Sequence, residues 1–142
     1  MAKVAELLAD KGREVFAIGP DEPVLEAIER MADKGIGALL VMRGETLLGI
    51  VSERDYARKV ILRGRSSAET PVWQIMSAPV TTVSPRDGVQ TCMMLMTEGK
   101  FRHLPVVDEG RVVGVLSIGD LVKAVIEEQQ REITELQRYI AS

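Results

Sequence analysis

One cysteine, one histidine and no long apolar run are the first bounds this 142-residue chain sets on itself. With Cys92 alone, no disulfide can form within the chain, and its place inside a helical pattern marks it as a small buried hydrophobe. With His103 alone, a histidine-rich metal site is excluded. No apolar run approaches the ~18 residues that cross a bilayer, and the N-terminus has no signal-like hydrophobic stretch. A cytoplasmic protein with no membrane partner is therefore expected. Positive charge is also short: 18 Lys and Arg stand against 21 Asp and Glu, a net charge of −3, which argues against nucleic acid as the main partner. Nothing in the sequence resembles a nucleophile–base pair, a P-loop or a metal cluster. No catalytic residue and no metal ligand is expected, so the chain does not read as an enzyme.

What the chain does have is a repeat. Gly49-Ile50-Val51-Ser52-Glu53-Arg54-Asp55 recurs 65 residues later as Gly114-Val115-Leu116-Ser117-Ile118-Gly119-Asp120. The register holds in both directions, pairing Val15 with Val80, Pro20 with Pro85, Met31 with Met96 and Val60 with Val125. Self-similarity at a fixed spacing means one structural unit used twice. A unit of about 60 residues is marginal alone, so the two are expected to pack together.

Hydrophobic periodicity sketches the elements. Val4, Leu7 and Leu8 share a helical face within 1–12, and Gly12 is a stop. A strand is expected over 15–18, then a helix from Pro23 to Gly35 with Val24, Leu25, Ile28 and Met31 on one face. Residues 38–42 and 47–51 read as a hairpin about Arg43-Gly44-Glu45, and a helix follows from Ser52. The second repeat has the same order: a strand over 80–83, a helix over 89–98, a hairpin of 102–107 with 111–116, and a long helix from Ser117 to about Tyr139. Each unit is thus β-α-β-β-α, an α+β fold. Residues 63–72 are polar and read as a linker. Val72, Trp73, Ile75 and Met76 are expected to anchor against the second repeat, with Trp73 in the core.

The repeated Ser-x-x-Asp has two readings. Serine at a helix N-cap with an acid three residues on is a capping box, although Asp is short for the reciprocal bond. The same geometry offers a carboxylate that can accept both hydroxyls of a ribose cis-diol, beside a hydroxyl that can meet ribose or phosphate. Arg54, Arg58 and Lys59 could meet a phosphate, but charges on a first helical turn are more often solvated.

With its two motifs, two apolar hairpins and single spacing, the chain resembles a tandem pair of CBS domains, a Bateman module of the stand-alone type. The resemblance places CBS domain 1 at 10–63, a linker and anchor at 64–74, CBS domain 2 at 75–128 and a helical extension at 129–142. It implies two units related by a pseudo-two-fold axis, with clefts between them that take an adenine nucleotide as regulatory ligand. AMP is expected first, with ATP, ADP, NAD or S-adenosylmethionine open. Carried over by motif, Asp55 and Asp120 would hold ribose hydroxyls, and Ser52 and Ser117 would assist. Gly35, Ile36, Gly37 and Ala38, with Arg102, His103, Leu104 and Pro105, match the strand whose main chain meets the adenine edge. Ile18 and Val83 would line the base. Only the first motif carries a cation, Arg54 against Gly119, so equal affinity at the two sites is not expected. The implied function is a regulatory sensor acting on a separate partner protein. The alternative is a dimeric CBS scaffold that binds no ligand.

The last helix adds an assembly signal. Val122, Ile126, Gln129, Ile133, Leu136 and Ile140 are spaced alternately by four and three, a heptad seam with one polar position. Because the seam runs past the repeat, a homodimer is expected.

Overall fold

The computed structural model describes residues 2–141, and the elements come in the expected order. They are α1 (Val4–Lys11), β1 (Ala17–Ile18), α2 (Val24–Lys34), β2 (Ala38–Arg43), β3 (Thr46–Ser52), α3 (Glu53–Tyr56), α4 (Val89–Gly99), β4 (His103–Asp108), β5 (Arg111–Ser117) and α5 (Ile118–Ala141). The chain forms two compact units. One is the continuous stretch from Val15 to Val80; the other joins the N-terminal residues through Glu14 to everything from Thr81 onward.

In the first unit β1 pairs parallel with β2, and β2 pairs antiparallel with β3. The β2–β3 ladder slips by one residue between Val41 and Met42, and the β4–β5 ladder slips at the equivalent place, between Val106 and Val107. One extra residue in each return strand bends the hairpin the same way in both repeats. Leu39, Val41 and Val51 face a core that also takes Val24, Ala27 and Met31 from α2. After Tyr56 the helix continues as a wider π turn over Ala57–Ile61, which buries Val60.

The segment expected to anchor the second repeat belongs to the first instead. Val72 and Ile75 are fully buried in the core of the Val15–Val80 unit. The reason is hydrogen bonding. α2 begins at Pro23 with no side-chain cap, and its leading N–H groups donate to the main chain of Thr70 and Ser67. Val72 and Trp73 donate back to Glu22 and Pro20, and Ser77 exchanges two main-chain bonds with Ile50. Trp73, expected in the core, is 51% exposed, because its neighbours on either side of the turn fill the interior.

The second unit obtains its anchor from the other end of the chain. Val4 and Ala5 donate to Asp87 and Pro85, the residues 65 positions beyond Glu22 and Pro20. Val4, Leu7 and Leu8 are buried with Val83, Val89, Cys92, Met96, Leu104, Val106, Leu116 and Leu121. The sheet here is β4–β5 alone. The strand expected over 80–83 is reduced to a bridge of Val83 with Val106, bonded through Pro105 and Val107. Burial, and secondarily the Asp87 charge, push the Cys92 thiol up to about 11, so it stays protonated as a core residue. No helix among the described residues is long and apolar enough to cross a membrane.

Candidate functional site

Each hairpin ends in a turn built by its own Ser-x-x-Asp. Ser52 is extended at φ −130°, its hydroxyl accepts from the Asp55 N–H at 3.2 Å, and Asp55 Oδ2 accepts from the Ser52 N–H at 3.0 Å. The second turn matches it: Asp120 N–H to Ser117 Oγ at 3.2 Å, and Ser117 N–H to Asp120 Oδ2 at 2.7 Å. The serine hydroxyls also donate to the same carboxylate oxygens, at 3.0 and 2.9 Å. The short acid closes the capping box in both repeats, and one oxygen of each carboxylate is thereby fixed in place.

Two lysines complete these turns: Lys59, which the sequence offered as a phosphate contact, and Lys11, which sequence reasoning missed. Lys59 Nζ lies 3.1 Å from Asp55 Oδ1 and donates to the Ile75 carbonyl at 2.9 Å. Lys11 Nζ lies 2.6 Å from Asp120 Oδ2 and donates to the Val115 carbonyl at 2.6 Å. Burial pushes the Asp120 carboxyl up, but the hydrogen bonds from Lys11 and from the Ser117 N–H and hydroxyl outweigh it and hold the group below its ordinary 3.8. Lys59 was visible as an i,i+4 partner of Asp55. Lys11 had no local signal, because its partner is 109 residues away.

The other candidates divide. The Gly37 carbonyl accepts from Glu53 N–H at 3.1 Å, and the Arg102 carbonyl from Ile118 N–H at 2.9 Å, so both segments lie directly beside the motif turns. Gly35, at φ 65°, ends α2 in the left-handed region. Gly35, Ile36 and Gly37 line a cavity of about 510 Å³ with Met31, Tyr56 and Ile61, and neither Ser52 nor Asp55 lines it. Ala38 pairs with Ser52 across β2–β3, and His103 with Ser117 across β4–β5. Leu104 and Pro105 are buried on β4. Ile18 and Val83 are inside the two cores, at 2% and 4% exposure. Arg54 and Arg58 are exposed and make no ion pair among the described residues. No group of metal-ligating side chains occurs among the described residues.

Two capped hairpins with a β-α-β-β-α order define a CBS pair, and comparison with known proteins agrees. The CBS domain pattern matches residues 4–62 and 72–127, and the chain belongs to the CBS domain family. It is 42% identical over 125 residues to the mitochondrial CBS domain-containing protein CBSX3 of Arabidopsis thaliana, covering 84% of this chain. It spans 61% of the length of that relative. Among solved structures, a CBS-domain protein of Burkholderia ambifaria, whose description proposes a role in signal transduction, is 51% identical with a TM-score of 0.86. That match covers 90% of this chain and 96% of the other. The CBS domain protein NE2398 is 49% identical with a TM-score of 0.84, covering 88% and 98% of the two chains. Stand-alone CBS pairs are typically non-catalytic regulatory modules, and CBS domains typically bind adenine nucleotides.

Proposed function

We propose that the protein is a regulatory CBS pair that binds an adenine nucleotide, AMP first among ADP, ATP and NAD, and signals its state to a separate partner protein. The observation that carries this reading is the motif carboxylate, one oxygen of which is held by the serine in the same way in both repeats. Its Oδ2 is fixed by the serine N–H and hydroxyl. The Oδ1 of Asp120 has no partner among the described residues, and that of Asp55 has only Lys59 and a long 3.4 Å bond from Ser77. A ribose cis-diol needs such an acceptor, already oriented and not fully used. The main chain of 35–38 and 102–105, beside the two turns, supplies donors and acceptors for a base edge.

The apolar seam of α5 supports a homodimer. Ile126, Ile133, Leu136 and Ile140 are 47–81% exposed, and Leu121 is the one buried residue in that helix among those described. CBS proteins often oligomerise. A second reading, a dimeric scaffold without ligand, draws on the same turns: a serine cap and a lysine already give each aspartate a structural role. Thermal melting with AMP, ADP, ATP and NAD separates the two. A ligand at 100 times its Kd adds about 2.7 kcal/mol, and a flat response to all four would leave the scaffold.

A further inference from the structure

Lys59 and Lys11 each reach the motif aspartate of their own unit by unrelated routes, Lys59 at Asp55 Oδ1 and Lys11 at Asp120 Oδ2. Lys59 follows Asp55 by four residues in its own repeat, and the position 65 residues beyond it is Ala124, which has no cation to offer. The second repeat receives one from α1 instead. In both units the ammonium bridges the motif aspartate and one main-chain carbonyl, of Ile75 in the first and Val115 in the second. Neither lysine is a loosely tethered surface charge. α1 is pinned by the burial of Val4, Leu7 and Leu8, and Lys59 leaves a turn anchored by buried Val60. Partly exposed ion pairs add little stability, so stability alone is a poor account of a lysine held at the motif aspartate in both units.

Donor counting indicates what the ammonium is for. A lysine ammonium has three N–H groups and no acceptor. Lys11 commits two, to Val115 and Asp120, and Lys59 commits one, to Ile75, beside its ion pair with Asp55, so each keeps an N–H with no partner among the described residues. The lysines remain 37% and 41% exposed, so that donor is reachable. Arg54 and Arg58, which the sequence offered together with Lys59, carry no such preorganisation.

We propose that Lys59 and Lys11 are the phosphate-selecting residues of the two sites, each giving an uncommitted N–H to a phosphoryl oxygen of a nucleotide whose ribose is held by the adjacent aspartate. This rests on the nucleotide reading above. It removes the asymmetry suggested by Arg54 and Gly119, because each site then has one placed cation.

Calorimetric titration of AMP and of adenosine into the wild type, Lys11→Met and Lys59→Met tests it. Each substitution is expected to weaken AMP at one site by roughly tenfold to a hundredfold, as for loss of a charged hydrogen bond. Adenosine should bind as before or tighter, Lys→Arg should recover much of the AMP affinity, and the AMP preference should shrink with added salt. Equal losses for AMP and adenosine would make the lysines structural and overturn the assignment. Unchanged binding in both variants would overturn it alone, whereas a wild type silent to both ligands would overturn the nucleotide reading with it. Where Lys11→Met unfolds, Lys11→Gln, a polar side chain without the charge, is read in the same way.

Discussion

A Cβ on Gly114 would fall 2.7 Å from Cδ2 of Leu8. The equivalent Cβ on Gly49 would fall 2.6 Å from Met76 Sδ and 2.9 Å from the Ser77 carbonyl oxygen. The glycine that opens each repeated motif is therefore the place where the anchoring segment lies against the strand, Leu8 in one unit and Met76-Ser77 in the other. Both alanine substitutions are expected to destabilise, by about 1–3 kcal/mol as overpacking does. Gly49→Ala should cost more, since main chain bonded to Ile50 must move, whereas the end of Leu8 can rotate. Urea denaturation checks the order; a larger loss at Gly114 would contradict it.

Ser52→Ala and Ser117→Ala remove the side-chain cap and one of the bonds that fix the carboxylate. Each should lower stability by about 0.5–2 kcal/mol and weaken nucleotide at its own site. Asp55→Ala and Asp120→Ala should reduce affinity by roughly tenfold to a hundredfold. Melting and calorimetry on the four variants decide between cap and site: a stability loss with affinity untouched leaves only the cap.

The Lys11–Asp120 pair gives stability a pH dependence of known sign. The Asp120 carboxyl is lower in the folded chain than its ordinary 3.8. Its contribution is complete above the unfolded value and is lost as pH falls through the folded one. Lys11→Met removes the largest of the lowering interactions, so the variant should be less stable at pH 7, by no more than about 1 kcal/mol for a partly exposed pair. Melting curves from pH 7 to 2 should show that gap closing below the usual carboxylate range. A gap that persists at pH 2 would assign the loss to packing.

Ile133→Asp or Leu136→Asp should lower the sedimenting mass without lowering the melting temperature of the units. Burying a large aliphatic side chain is worth about 1.5–3 kcal/mol, which a charge on the seam forfeits. An unchanged mass would remove α5 from the assembly.

Lys100 ends α4 at φ 57°, where the first repeat has Gly35 at φ 65°, and Glu109 turns its hairpin at φ 49°, where the first has Gly44 at φ 61°. Left-handed backbone costs a non-glycine residue about 1 kcal/mol or more. Lys100→Gly should stabilise the second unit, by up to about 1 kcal/mol after the entropy of the freer unfolded glycine is counted. Denaturant titration that finds a loss would show that the lysine side chain contributes there.

What could be read from the sequence was what neighbours decide. Alternating apolar residues predicted both hairpins, and Ser-x-x-Asp predicted both capped turns. Pro23 and Gly35 bracketed α2. What distant partners decide was hidden. Nothing near Lys11 announces Asp120, and nothing near Val72 tells which repeat will bury it. Val80 has the residue type of a strand, yet only Val83 finds a pairing partner. Trp73 is apolar enough for a core, but the turn holding Val72 and Ile75 inward leaves it outside. In the capped turns, Ser-x-x-Asp and the nearby Lys59 were legible and Lys11 was not, because Lys11 meets Asp120 in space and not in sequence.

The division of labour between 71–77 and 3–11 bears on how the chain is assembled. The stretch from Val15 to Val80 is an insertion within the other unit, complete in itself and able to collapse from contiguous chain. The remaining unit must join α1 to residues more than 100 positions later, and contacts at that separation form late. Of the elements described here, the helix made earliest therefore settles last. A translation product halted before Ser117 would hold a finished first aspartate with its lysine, and an α1 whose own aspartate had not yet been made.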